Sequence, residues 1–237
     1  SGNDTIIGDA ATTSAADQVA AGGGTDTLKL FGASPKPVIS GVEIVYLNGN
    51  TTGFDVSSNT DVTTLQLDDV TTAQNYTITN GQAASVANMA AAEVVDFLGN
   101  TVTSLALGLN GVAATGADAT IDLNSTAQTS VAITTSTAAS QITLVNTGAA
   151  LTTVTVAGDK ALELGSALTT ITTINASAST GGVNIDAVGA SILAFTGGTG
   201  NDRINLGATR AANDVIVAGT GTDTLAIDDA DTMTLLT

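Results

Sequence analysis

Six aspartates carry the chemistry that this chain can do. Asp4, Asp17, Asp26, Asp202, Asp214 and Asp223 are each followed two places later by a large aliphatic residue: Ile6, Val19, Leu28, Ile204, Ile216 and Leu225. Asp17 and Asp26 are nine residues apart, and so are Asp214 and Asp223. Residues 197–205 fit the whole nonapeptide G-G-x-G-x-D-x-U-x, where U is large and aliphatic; residues 218–226 and 21–29 fit it with Ala in place of the first Gly, and residues 1–6 begin inside it. The glycines permit the positive φ of a tight turn whose carbonyls point inward, and the aspartate adds a charged oxygen to that ring. Calcium takes about six to eight oxygens, so one carboxylate per turn requires adjacent coils to share each ion. The aliphatic residue then opens the next strand with its side chain in the core.

The rest of the composition removes the other chemistries. There is no His, Cys or Trp, which excludes imidazole and thiol catalysis, zinc sites built on those ligands, and disulfides. Nineteen of the 22 acidic residues are Asp, and against five basic residues they leave a net charge of −17. Lys29, Lys36, Lys160, Arg203 and Arg210 are too scattered for the basic stripe that nucleic acid needs. Ser and Thr are abundant, with 42 Thr, yet no base to activate a hydroxyl is evident. Two Tyr and four Phe are little with which to line a sugar-cleaving cleft, so the chain reads as a non-enzyme. No apolar run approaches the roughly 18 residues of a membrane span, and the chain reads as soluble and not inserted in a membrane.

The elements that must hold the aspartates are legible as repeats. The two termini are copies of one unit: residues 2–6 match 200–204, and 17–28 match 214–225. Between them, residues 43–51 match 93–101. Alanine content predicts a helix from about Ala83 to Ala91, with strand thereafter. From Ile142 onward, short apolar clusters recur about every ten residues with Gly, Asn, Asp or Ser between them, the cadence of short strands and turns. Fusion without a linker to nine-residue glycine-aspartate repeats favours a solenoid over a sandwich. The expected fold is all-β, a predominantly parallel β-solenoid with calcium-binding turns at both ends: units at 1–30 and 197–237 flank a Thr/Ala-rich solenoid at 31–196 in one continuous stack. Pro35 and Pro37 mark a loop.

At its glycine-aspartate turns the chain resembles the repeats-in-toxin (RTX) calcium-binding family. Its segments LTTVTVAG, LTTITTINASASTGG and FTGGTGNDRI look more narrowly like the Thr/Ala-rich solenoids of Gram-negative bacterial surface-layer (S-layer) proteins. The resemblance implies export by type I secretion, folding outside the cell on meeting Ca2+, and tiling into a calcium-dependent lattice on the cell surface. It makes Asp4, Asp26, Asp202 and Asp223 carboxylate ligands, adds Asp17 and Asp214 from degenerate repeats, and assigns the backbone carbonyls of Gly22, Gly24, Gly198, Gly200, Gly219 and Gly221 to complete the shells. Asp17 and Asp214 lack preceding glycines, so for them an Asx-turn role stands beside ligation. Asp228, Asp229 and Asp231 read as a solvated acidic turn.

The implied function is structural: a calcium-dependent, self-assembling surface-layer segment. The alternative is an RTX adhesin or extracellular filament module that binds a host or neighbour cell. The expected partner is the chain itself, in a lattice or head to tail, with the Asp4/Asp26 unit of one molecule sharing ions with the Asp202/Asp223 unit of the next. Cell-surface polysaccharide is a further expected partner, through parts of the protein outside this sequence. An uncapped solenoid end exposes edges that template further strands, which leads to the expectation that this is either a fragment or a subunit completed by its neighbours.

Overall fold

The structure is a computed structural model, and it describes residues 2–99, 101–147, 151–165, 169–186, 193–207 and 211–227. Among these there is no α-helix, and the chain winds as a parallel β-solenoid of about ten coils. Strands are numbered along the chain. One sheet stacks the odd strands: β1 (Thr5–Asp9), β3 (Thr27–Phe31), β5 (Ile44–Asn48), β7 (Thr64–Asp68), β9 (Ala83–Ala87), β11 (Ser104–Asn110), β13 (Ser130–Thr135), β15 (Thr153–Gly158), β17 (Thr173–Ser179), β19 (Ala194–Thr196) and β21 (Val215–Val217). The even strands form the opposite wall. β2 (Gln18–Ala20) and β4 (Val38–Ser40) pair with each other. A nine-stranded sheet then runs through β6 (Phe54–Asp55), β8 (Gln74–Thr77), β10 (Val94–Leu98), β12 (Ala119–Asp122), β14 (Ser140–Val145), β16 (Leu162–Gly165), β18 (Val183–Asp186), β20 (Arg203–Asn205) and β22 (Thr224–Ala226). The prolines fall in the loop between β3 and β4.

Alternation in each strand sets the inside. Leu28, Val45, Leu65, Ala84, Leu107, Ile133 and Val156 lie in register down one inner column of the odd sheet, all buried. Ile142, Leu164, Ile185 and Ile204 make a buried column on the facing sheet. Full burial of such a side chain contributes about 1.5–3 kcal/mol. The residues between them, largely Thr, Ser, Asn and Asp, face outward, where β-branched Thr suits a pleated surface.

Every coil turns a corner after its odd strand. Gly32, Gly49, Asp69, Asn88 and Gly111 follow β3, β5, β7, β9 and β11 and have φ of 65°, 58°, 55°, 49° and 63°. Glycine, Asn and Asp are the residues that tolerate this left-handed region. The corners stack through main-chain bonds such as Gly32 N to Asn48 O and Gly49 N to Asp68 O, each 2.9 Å.

One sequence expectation changes here. Residues 83–91 are not helical: Ala83–Ala87 is β9, with Ala84 and Val86 buried and its backbone paired to β7 and β11. The helix propensity of alanine is worth only tenths of a kcal/mol per residue, less than the two ladders of hydrogen bonds to β7 and β11. The repeated segments 43–51 and 93–101 contain the strands β5 and β10, as the sequence leads one to expect, and these lie on opposite walls. Coil length explains this: register partners are 17 residues apart between Thr27 and Ile44 and 26 apart between Ser104 and Ser130. The fifty-residue interval therefore carries no fixed number of whole coils.

Candidate metal centre

At five places where an acidic residue stands directly before a strand, one of its carboxylate oxygens accepts the main-chain N–H of the residue at the same register one coil earlier. Asp4 N donates to Asp26 Oδ1 at 2.7 Å, and Asp26 N to Glu43 Oε2 at 2.7 Å. The same bond joins Val183 N to Asp202 Oδ1 at 2.9 Å, Leu193 N to Asp214 Oδ1 at 2.7 Å and Asp202 N to Asp223 Oδ1 at 2.9 Å. These carboxylates are rungs between coils. Asparagine does similar work one residue earlier: Asn3 Oδ1 accepts from Thr25 N at 2.9 Å, and Asn201 Oδ1 from Thr222 N at 2.8 Å.

The second carboxylate oxygen separates the candidates. Asp202 Oδ2 accepts from Gly198 N at 2.8 Å, so both of its oxygens are engaged by amides. Asp214 Oδ2 accepts from Ala211 N at 2.7 Å. Asp17 is held by Ser14, whose N donates to Oδ2 at 2.8 Å and whose hydroxyl pairs with Oδ1 at 3.0 Å. In these degenerate repeats the aspartate closes the turn that the missing glycines would have made. Asp26 differs. It is 0% exposed, yet its Oδ2 has no hydrogen-bond partner.

The glycine loop beside Asp26 is built for close approach. Gly22 and Gly24 have φ of 98° and 139°, and Gly219 and Gly221, at the same places before Asp223, have 93° and 136°. The two matching sequences therefore adopt one conformation. A Cβ on Gly24 would stand 2.2 Å from Gly2 O, and one on Gly221 would stand 2.2 Å from Gly200 O, so successive loops stack backbone on backbone. Gly198 and Gly200, in the fullest nonapeptide, do not share the positive φ of the other pair. Gly198 O accepts from Thr220 N at 2.9 Å.

The amino-terminal unit contains a buried carboxylate with an unpaired oxygen, Asp26, with Asp4 at the same register one coil away and a glycine loop directly before it in sequence. That is hard-oxygen chemistry suited to calcium. Among the described residues no three acidic side chains converge, so any ion there would draw most of its oxygens from the main chain and water. Asp228, Asp229 and Asp231, and the apolar run 233–236, lie outside the described residues.

Of the six aliphatic partners, Leu28 and Ile204 are buried, and Ile6, Val19 and Ile216 pack partly buried against the core. Leu225 is 48% exposed, because no described strand lies beyond β22. Glu43, whose role the sequence leaves undefined, is the second rung of the Asp4–Asp26 ladder. Its match, Glu93, contributes its main-chain carbonyl to Thr120 N at 2.8 Å. The one available signal for Glu43 was its place directly before a strand, shared with all the ladder aspartates.

No family model, curated protein or solved structure matches this chain.

Proposed function

We propose that this chain is a calcium-stapled structural solenoid, a segment of a secreted, self-assembling surface layer of the RTX type, and that it carries no catalytic activity. The observation that carries the reading is Asp26 Oδ2, a buried carboxylate oxygen without a partner beside a glycine loop of matching φ at both ends of the solenoid. A buried unpaired charge costs several kcal/mol, and a bound cation supplies the missing partner. Asp26 and Asp4, with the carbonyls of Gly22 and Gly24, would hold one ion; Asp223, with the carbonyls of Gly219 and Gly221 and Asp202 beside it, would hold another. Calcium would supply charge neutralisation between coils of a chain whose net charge is −17, and binding available only to the ordered loops becomes folding free energy.

Were copies to stack end to end, register would decide which groups meet. The full motifs sit on different walls: Asp26 opens β3 of the odd sheet, whereas Asp202 and Asp223 open β20 and β22 of the even sheet. A coaxial second copy continuing directly from the last described coil would place β1 beside β21 and β2 beside β22. Asp214 would then stand at the register of Asp4, and Asp223 at that of Asp17, instead of Asp202/Asp223 meeting Asp4/Asp26. Partly covered inner residues would also stack, Ile216 on Ile6 and Leu225 on Val19, and the exposed outer residues Val217 and Ile7, 51% and 67% exposed, would become neighbours. Such a contact does not close and grows. Light scattering across a calcium titration tests this reading. Particle mass rising at about 0.1–1 mM calcium and falling with chelator supports it, whereas a folded monomer throughout contradicts it.

A further inference from the structure

The outward face of the odd sheet carries a groove of about 220 Å3 that the calcium reading does not use. One outward row runs in register across β5, β7, β9 and β11 as Tyr46, Gln66, Ser85 and Gly108. The side chains shrink along it, from a phenol to a bare hydrogen, so the surface steps down away from Tyr46. The neighbouring row supplies Asp68, Ala87 and Asn110. The groove spans three strand spacings, about 14 Å.

We propose that this groove binds a short run of neutral saccharide. Tyr46 forms an aromatic wall at its deep-sided end, held in place by its hydroxyl bond to Asp68, by Lys29 Nζ 5.1 Å from the ring centroid on the β3 side, and by Phe31 at 6.2 Å. An aromatic wall takes the apolar face of a pyranose. Gln66, Ser85, Asn110 and Asp68 offer the mixture of donors and acceptors that hydroxyl groups require. Asp68 is fixed from its other side by Asn88 Nδ2 at 2.8 Å. Burial works against its ionisation, but the bonds from Tyr46, Asn88 and Asn48 outweigh burial and hold the carboxyl below the usual value, so it stays an acceptor.

The same features exclude other occupants. A polyanion meets an ionised Asp68 on a chain of net charge −17. An extended peptide finds no free ladder, because β5 to β11 are interior strands paired on both sides. Gly108 is the feature that keeps the floor open: a Cβ there would lie 3.1 Å from Ser85 Cβ.

The test is affinity electrophoresis of the full chain through gels containing neutral polymers of glucose, mannose or galactose, with alginate as the anionic comparison, for the native protein, Tyr46→Ala and Ser85→Leu. Ser85 points outward, so Ser85→Leu fills the groove without entering the core, and its melting temperature checks that the fold is kept. Retardation by a neutral polymer, weakened about tenfold or more in both variants, is the expected result. No retardation by any neutral polymer, stronger retardation by alginate, or undiminished retardation of both variants overturns the proposal. None of these outcomes depends on whether calcium binds at Asp26.

Discussion

The main-chain N–H of Asp4 donates to Oδ1 of Asp26 across one coil, 2.7 Å away. That bond uses half of the Asp26 carboxylate and leaves the other oxygen buried and unpaired. At Asp202 both oxygens are satisfied by amides. The motif that is fullest in sequence is thus the one whose carboxylate the protein already satisfies, and residues 21–29, one of the two motifs with Ala for the first Gly, leave a buried oxygen for a cation.

Asn substitution should therefore act in opposite directions at the two sites. In excess chelator, Asp202→Asn loses an acceptor for one buried amide and should cost about 1–3 kcal/mol, whereas Asp26→Asn keeps its bond to Asp4 N, removes a buried charge, and should be neutral or stabilising. With millimolar calcium, Asp26→Asn should lose the stabilisation that the native protein gains. Urea unfolding of the three proteins with and without calcium measures this, and equal losses at both sites in chelator would count against the assignment.

The glycine loop gives an independent handle. Gly24→Ala should open the first coil, since its Cβ would meet Gly2 O at 2.2 Å and its φ is 139°. Gly23→Ala meets nothing within 4 Å and should fold normally. The observable is amide exchange at residues 2–9; unaltered protection in Gly24→Ala would show that the loops do not stack as described.

How far could this have been read without coordinates? The strands from Ile142 onward follow from apolar spacing, because a coil that buries one face of each strand writes period two into the sequence, and the solenoid follows from their fusion to nine-residue glycine-aspartate repeats. The carboxylate rungs do not, since they depend on register between coils of unequal length. Glu43 joins Asp26 only because that coil is 17 residues long. Ala83–Ala87 misleads for a related reason: its strand conformation is imposed by the two flanking strands, β7 and β11, and not by its own propensity.

Gln82 is a buried polar group on which a whole loop depends. Its Nε2 donates to Val56 O at 3.0 Å, Asn59 O at 3.2 Å and Val62 O at 3.0 Å, while Oε1 accepts from Thr79 N at 2.9 Å. Gln82→Leu should cost about 2–3 kcal/mol, because Val62 O and Thr79 N lose the bonds that Gln82 supplies, while Val56 O and Asn59 O keep only those from Asn59 N and Val62 N. A loss below 0.5 kcal/mol in denaturant unfolding, on the order of an ordinary surface change, would contradict that account.

Tyr76 is 0% exposed, packs on Phe97 with ring centroids 6.3 Å apart, and has a hydroxyl with no partner. Burial pushes this phenol up to about 12, from 10.0. Since the folded value is the higher one, the contribution to stability is fully present below pH 10 and is lost as pH rises toward 12. Tyr76→Phe should leave stability at pH 7 unchanged or slightly raised and should flatten the alkaline decline relative to the native protein. Parallel pH profiles for the two proteins would show that the phenol does not ionise on unfolding.

The central claim is that calcium staples the end coils, and site-resolved hydrogen exchange with and without the ion tests it most directly. The account predicts that about 1 mM calcium raises protection at residues 2–31 and 197–226 while leaving β5 to β17 unchanged. Identical exchange at both ends in chelator and in about 10 mM calcium, well above the affinity range of extracellular modules, would contradict it.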